Sequence, residues 1–154
     1  MKYFSIKTRL IVFLAGFAVF LSVRDRDTAF LFTTVIALVS AIIIDSAASY
    51  FKNRKFSISE SSIISALIIG FVLAGDNPRW VVAAAVLLAL SSKYLIRFNK
   101  KHIFNPAAFG IFLSILLLGA TTQWKGTFFW YLLLPAGLYF TYKFRKLELI
   151  IGYF

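Results

Sequence analysis

Long apolar stretches alternate with short polar ones along this chain, and the pattern predicts six membrane-spanning helices. Each apolar stretch is flanked by polar or charged residues, and together they give predicted spans over 9–24, 28–51, 58–75, 79–97, 104–121 and 126–143. A helix needs about 20 apolar residues to cross a bilayer, and about 17 is the lower limit. The fold class predicted from this pattern is an all-α integral membrane protein with a single transmembrane domain over 1–154.

Two of the six stretches are short in strictly apolar residues, namely 10–23 and 63–75. The first is expected to extend through Arg9 and Arg24, because long basic side chains can reach the interface from slightly inside the membrane. The third is expected to extend back to residue 58, where Ser57 and Glu60 have the spacing of a capping box. Residues 147–154 are apolar again but too few to cross a bilayer. They are either an interfacial tail or the start of a further helix in a longer protein.

The basic residues predict the orientation of these spans. Thirteen of the 17 Lys and Arg residues fall at the N-terminus, in the second and fourth loops and after the sixth span, whereas only four fall in the alternate loops. Lys and Arg accumulate on the cytoplasmic side of membrane proteins. Both termini are therefore predicted to be cytoplasmic, in a multi-pass protein of the cell (inner or plasma) membrane.

Composition narrows the range of possible chemistry. Hydrophobic residues make up 60% of the 154 residues, above the roughly 45–50% of soluble domains. The absence of cysteine excludes disulfides and thiol chemistry, and one histidine with six carboxylates leaves no metal-binding or hydrolytic constellation. The net charge of +11 lies in short loops between apolar stretches. We therefore expect the lipid bilayer, and not nucleic acid, to be its partner.

Residues 93–110 contain a basic loop followed by a well-marked helix start. Asn105 is a favourable N-cap, Pro106 suits the first helical position, and Phe104 and Phe109 have the spacing of a hydrophobic staple. A helix that starts at a membrane boundary directs free N–H groups and a positive dipole end at one place, where an anion such as a phosphate can bind. The alternative is an ordinary start of a spanning helix.

Asp45 and Lys93 are the two charged residues that lie more than three positions from either end of a predicted span. An acid at membrane depth is costly unless it is paired, so Asp45 is a candidate for an ion pathway. Its alternative role is structural pairing, with Lys93 or Arg54. The Lys93 ammonium must either reach the interface or meet an acid.

Two further features have a structural and a functional interpretation. Small residues recur every four positions in the third span, at Ser62, Ala66, Gly70 and Ala74. Such a stripe lets membrane helices pack closely, or it offers a thin face to a flavin or a lipid. Thr121 follows Gly119 and Ala120, where a polar turn is the simplest interpretation.

The order of these features resembles the membrane flavoprotein family of RnfD and NqrB, subunits of Rnf-type and sodium-pumping NADH:quinone-type electron-transport complexes. The similarity runs from the short helix at 62–70 through Trp80 and Lys93 to Phe104-Asn105-Pro106-Ala107-Ala108-Phe109-Gly110. Asp45 and the sixth span, between Trp124 and Arg145, also have counterparts. The resemblance covers most of this chain but only the front half of the usual family length. The chain departs from the family at 98–102, where a glycine-rich turn is replaced.

The resemblance implies a flavin cofactor, FMN or riboflavin, and other membrane subunits of an electron-transport complex as partners. It implies cofactor-binding roles for Gly70, Lys93, Asn105 and Pro106. It also implies a covalent FMN site at Thr121, although the Ser-Gly-Ala-Thr-like motif reads Leu118-Gly119-Ala120-Thr121 here. Two alternatives remain: a small-solute transporter-like half-module, which would pair with another copy of itself, and an inactive fragment of a longer protein.

Overall fold

Six α-helices form most of the structure. The computed structural model describes residues 5–95, 97–98, 101–102 and 105–144. The helices are α1 (Ile6–Arg24), α2 (Thr28–Asn53), α3 (Glu60–Val72), α4 (Arg79–Leu95), α5 (Pro106–Leu118) and α6 (Trp130–Lys143). A two-residue antiparallel hairpin, β1 (Arg97–Phe98) and β2 (Lys101–His102), joins α4 to α5, and a 3-10 turn (Thr127–Phe129) precedes α6. The predicted all-helical class is confirmed. The predicted segment 147–154 lies outside the described residues.

The helices differ in length from the predicted spans. Among the described residues, two stretches are long and apolar enough to cross a membrane by length and composition, Ile6–Asp25 and Thr28–Phe51. The helices α3 and α5 have 13 residues each and are shorter than predicted. At 1.5 Å per residue each is about 20 Å long. α3 ends at Val72, and the next residue, Leu73, has an extended conformation. α5 ends before Gly119, which has a left-handed conformation with φ +64°.

The starts of the helices follow the predicted capping chemistry at α5 but not at α3. The Asn105 side chain accepts a hydrogen bond from the Ala107 N–H, and Pro106 is the first helical residue, as predicted. The prediction of a capping box at Ser57 and Glu60 is wrong, since the N-cap of α3 is Ser59, whose side chain makes no capping hydrogen bond. Glu60 instead accepts hydrogen bonds from Ser5 and Thr8 of the α1 start. Phe104, one partner of the predicted staple, lies outside the described residues.

Small side chains fill the centre of the bundle, where α2, α3, α4 and α5 meet. The buried cluster there includes seven alanines: Ala37, Ala41, Ala66, Ala85, Ala89, Ala107 and Ala120. A Cβ on Gly110 would lie 2.4 Å from the Ala85 carbonyl oxygen and 2.6 Å from the Ala89 Cβ, so α5 and α4 pack with their backbones nearly in contact. Many large apolar side chains lie on the outside instead, including Phe51 at 83% exposed and Leu116 at 66%.

A second, aromatic cluster joins α1 to α3 and to the turn before α6. Phe17 stacks on Phe71 with ring centroids 5.7 Å apart and meets Phe129 edge-on at 5.8 Å. α6 lies along α1, where Phe140 and Phe13 are in contact, but none of its residues is buried.

The bundle has two distinct ends, named here by one residue of each. The Lys93 end holds the start of α3 and α5 and the last turns of α2 and α4. The Thr121 end holds the start of α2 and α4 and the last turns of α3 and α5. There the extended residues after α3 pair with those after α5, through a β-bridge between Leu73 and Thr122 and a hydrogen bond from the Lys125 N–H to the Phe71 carbonyl. These bonds satisfy carbonyl groups that the short α3 leaves open.

Candidate functional site

The candidate site is a buried ion pair at the Lys93 end. Asp45, in the second half of α2, is 1% exposed, and Lys93, near the end of α4, is 7% exposed. The Lys93 Nζ lies 3.2 Å from Asp45 Oδ1. Pairing of Asp45 with Lys93, one of the two predicted partners, is confirmed. The other predicted partner, Arg54, instead has its guanidinium carbon 5.8 Å from the ring centroid of Tyr50.

Hydroxyl groups surround both charges. The Lys93 ammonium donates to Ser62 Oγ at 2.7 Å and also to Ser59 Oγ. Asp45 Oδ2 accepts from the Ser59 backbone N–H at 2.6 Å, and Asp45 Oδ1 accepts from the Tyr94 hydroxyl. The pair is therefore hydrogen-bonded on both sides, as a buried ion pair must be if its desolvation is to be offset.

Three helices bring these groups together. Asp45 belongs to α2, Lys93 and Tyr94 to α4, and Ser59 and Ser62 to the first turn of α3. The N-terminal end of α3 carries a partial positive charge, which favours the carboxylate that accepts its first N–H. Serine suits this position because its short side chain reaches groups one turn away without filling the space that the lysine needs.

The chemistry available to this cluster is proton exchange and charge stabilisation. Its carboxyl lies within hydrogen-bond reach of both an ammonium and a phenol, all groups that take up or release protons. The ammonium occupies the place between the carboxylate and the hydroxyl oxygens. In the part of the chain that the structure describes, no three His, Cys, Asp or Glu side chains lie close enough to hold a metal ion.

The other predicted residues of the Lys93 end lie beside a surface groove. Asn105 and Pro106 start α5, and Asn105 lines a groove of about 330 Å³ together with Ala108, Phe109 and Phe112. The walls of this groove are apolar apart from the Asn105 amide. Asn105 is thus a residue of the predicted flavin set that borders an open space on the described surface.

Gly70 lies in a helix–helix contact. A Cβ on Gly70 would meet Thr34 of α2, with its Cα and Oγ1 both 2.9 Å away. Ser62, Ala66, Gly70 and Ala74 are all buried. The interpretation of the small-residue stripe as a packing face is confirmed, because α2 covers this face. The cofactor role predicted for Gly70 stays a prediction.

Thr121 lies at the opposite end of the bundle from Lys93. Its side chain is exposed and donates a hydrogen bond to Asp76 Oδ1 at 3.0 Å. Its backbone is held by the Asn77 side chain, which accepts from the Thr121 N–H at 2.9 Å and donates to the Thr121 carbonyl at 2.8 Å. Asn105 and Thr121 flank α5, so a distance of about 20 Å separates them along its axis. One flavin ring cannot lie against both residues.

Sequence reasoning missed three residues of these sites. Tyr94 follows Lys93 directly, but nothing in its neighbourhood marks its hydroxyl as a partner of Asp45. Ser59 was overlooked because Ser57 fits the capping-box spacing better. Asn77 precedes a proline in a turn, which is a signal for a loop but not for its bonds to a residue 44 positions away.

Comparisons with known proteins add no relative. No protein-family model, no curated protein and no solved structure matches this chain.

Proposed function

We propose that this protein is a multi-pass membrane protein with both termini on the cytoplasmic side, and that it serves as a flavin-binding subunit of an ion-translocating electron-transport complex. The single observation that carries the functional part is the buried Asp45–Lys93 pair in an otherwise apolar helix bundle. Ionisable residues inside membrane helices are costly and are by default functional.

The distribution of side-chain sizes supports the membrane placement. Alanines make up about half of the central buried cluster, while large apolar side chains such as Phe51, Phe112 and Leu117 are exposed. Water would penalise such a surface, since about 25 cal/mol is lost for each Å² of apolar area left in contact with it. Lipid carries no such penalty, and small residues at helix contacts are typical of membrane bundles.

The two ends of the bundle support the proposed orientation. The Lys93 end carries most of the basic residues, as the loops there already indicate. Trp80, Trp124 and Trp130 lie at the Thr121 end and are 61–67% exposed. Exposed tryptophans at one level are typical of a membrane–water interface. On this orientation the Asp45–Lys93 pair lies near the cytoplasmic boundary.

The residues of the α5 groove fit a flavin ring. Phe109 and Phe112 offer aromatic walls, and the Asn105 amide can donate to or accept from a polar ring edge. The first turn of α5 directs its positive end toward the same place, which favours a phosphate or a ring that gains negative charge. When bound, a flavin supplies the one- and two-electron chemistry, and the protein positions it and sets its electrostatic surroundings.

Flavin content tests this proposal directly. The protein is purified in an uncharged detergent, alone and with the partners that co-purify from native membranes, and the visible flavin absorbance and the flavin released on denaturation are measured. We expect bound flavin in the wild type and a marked loss in Phe112→Ala. Phe128→Ala is the matched control, because Phe128 is exposed to a similar degree but lies at the Thr121 end. Absence of flavin from both preparations would overturn the flavin assignment.

A covalent flavin at Thr121 is the second form of this proposal. Its support is that the exposed Thr121 hydroxyl donates a hydrogen bond to the Asp76 carboxylate. Fluorescence of the denatured chain on a gel tests it. We expect signal in the wild type and in Thr121→Ser but none in Thr121→Val. A fluorescent Thr121→Val chain, or a dark wild type, would exclude attachment at Thr121.

A transporter-like half-module is the alternative function, and the two short helices favour it. Discontinuous helices that end within the membrane mark the binding sites of many transporters. Here α3 and α5 have 13 residues each and meet through the bridge between Leu73 and Thr122. Uptake of small solutes by liposomes, compared between the wild type and Asn105→Ala, distinguishes the two functions. Flux at the level of empty liposomes would exclude transport.

A further inference from the structure

A second cavity lies at the Thr121 end, between the first turns of α2 and α4. Its volume is about 250 Å³, and its lining includes Thr28, Thr33, Gly75 and Arg79 at its polar part and Ile36 and Val82 at its apolar part. None of these residues belongs to the Asp45–Lys93 cluster or to the α5 groove. The cavity therefore combines polar and apolar walls at the end of the bundle opposite the proposed flavin site.

Thr33 lines this cavity, and its hydroxyl has no hydrogen-bond partner among the described residues. The residue is 3% exposed. Its neighbour Thr34 donates to the Phe30 carbonyl at 3.0 Å, whereas the Thr33 hydroxyl bonds to none of the described residues. Every fully buried side-chain oxygen in the described structure has a partner. The Thr33 hydroxyl therefore keeps accessible surface, and Thr33 is one of the residues that line the cavity.

Arg79 places a positive charge at the same cavity. Its guanidinium carbon lies 6.0 Å above the ring centroid of Phe32, another lining residue. Among the described residues Arg79 forms no ion pair, whereas Lys125, also at the Thr121 end, is paired with Asp27 and Asp25. α2 and α4 both start at this place. The Asp27 carboxylate accepts from the Phe30 N–H of α2, and the Pro78 carbonyl accepts from the Val81 N–H of α4, so only the N–H groups before these lack acceptors within their helix.

We propose that this cavity binds a phosphate-bearing group, held by the Arg79 guanidinium and the Thr33 hydroxyl. An arginine fork matches phosphate oxygens, and a hydroxyl deeper in the cavity can donate to a third oxygen. The phosphate can come from the headgroup of an anionic lipid, whose chain then follows the apolar wall at Ile36 and Val82, or from a soluble phosphate. The lipid source rests on the membrane placement proposed above, and the soluble source does not.

Ligand-dependent thermal unfolding of the full chain in an uncharged detergent tests the proposal. The probes are inorganic phosphate and short-chain phosphatidylglycerol, with sodium chloride at matched ionic strength as the reference. We expect a saturable rise in the unfolding midpoint with at least one probe. Arg79→Gln should weaken that apparent affinity by about tenfold or more, since a charge-assisted bond is lost. Thr33→Val, which keeps the shape, should weaken it by about fivefold.

Arg26→Gln is the matched control, because it removes an exposed positive charge at the same end but outside the cavity. The affinity of Arg26→Gln for the phosphate probes should stay within roughly twofold of that of the wild type. A response to phosphate alone identifies the soluble source, and a response to phosphatidylglycerol only identifies the lipid. The proposal is overturned if neither probe gives a saturable shift, or if Arg26→Gln weakens binding as much as Arg79→Gln. Flavin content, measured on the same samples, reports separately on the α5 groove.

Discussion

Lys93 is held in the bundle by oxygens from two other helices. Asp45 provides the opposite charge, and Ser59 and Ser62 accept the remaining N–H bonds of the ammonium. Removal of one partner from such a pair leaves a buried charge without compensation, which costs more than the pair itself contributes.

The double substitution in this pair is therefore expected to destabilise the protein less than the sum of the two single substitutions. Lys93→Met and Asp45→Asn should each lower the free energy of unfolding by about 3–5 kcal/mol. Asp45→Asn/Lys93→Met should recover at least about 1 kcal/mol relative to the sum of the two. Denaturant titration in mixed micelles measures all three. Lys55→Met is the control, because Lys55 is exposed at the same end. Strict additivity of the two losses would show that the charges do not interact.

At the Thr121 end, the pKa of Asp27 is influenced by its contact with Lys125. Its Oδ2 lies 2.7 Å from the Lys125 Nζ, and its Oδ1 accepts from the Phe30 N–H at 2.9 Å. The hydrogen bond from Lys125 is the main cause that holds the pKa of Asp27 below its ordinary value, and burial opposes it. A carboxyl with a lowered folded-state pKa stabilises the fold where it is ionised.

The stability difference between the wild type and Lys125→Met should therefore depend on pH. It should be constant at neutral pH and shrink as the pH falls through the ordinary aspartate pKa of about 3.9 and below. Unfolding midpoints measured between about pH 7 and pH 3 check the sign. A difference that grows on acidification would contradict the assignment of Asp27 as the partner of Lys125.

At the scale of elements, the close contact between α4 and α5 depends on Gly110, which has no side chain. A Cβ at Gly110 would lie 2.4 Å from the Ala85 carbonyl oxygen, which belongs to the backbone and cannot turn away. Gly110→Ala should therefore force the helices apart and cost about 1–3 kcal/mol of stability. Gly16, inside α1, has no neighbour within 4 Å of an added Cβ and provides the control.

Gly16→Ala is expected to be neutral or to stabilise by up to about 1 kcal/mol, because alanine is the better helix former. Thermal unfolding of the two variants beside the wild type measures both effects. Equal midpoints for Gly110→Ala and Gly16→Ala would mean that α4 and α5 do not pack as closely as the structure places them.

The helices themselves could be predicted in part from local sequence. Asn105 and Pro106 fix the start of α5 because a cap and a proline act on their own first turn. The end of α3 could not be predicted, since it depends on the loop 119–125, which pairs with residues 71–74. The end of α5 at the left-handed Gly119 is a local signal, although the helix is shorter than predicted. The hydropathy of 73–75 continues that of α3, so the hydrogen bonds to the loop 119–125 determine where α3 stops.

At the scale of the whole molecule, the proposed orientation predicts which ends can be labelled from outside the cell. The chain has no cysteine, so one introduced thiol is the only one. Phe128 and Phe56 are 73% and 76% exposed at the Thr121 and Lys93 ends. An impermeant maleimide should label Phe128→Cys on intact cells, and Phe56→Cys only after permeabilisation. Labelling of Phe56→Cys on intact cells would reverse the orientation.

The sequence by itself determined the number and the approximate places of the helices, the charge difference between the two ends and the need for a partner at Asp45. These properties are encoded in contiguous residues through hydropathy, capping and side-chain charge. The tertiary structure alone decided that Lys93 and not Arg54 is that partner, across 48 positions of sequence. It also placed Thr121 and Asn105 at opposite ends and opened a cavity at Thr33 and Arg79. Such contacts depend on how closely the helices approach, which is set by glycines and alanines of different helices acting together.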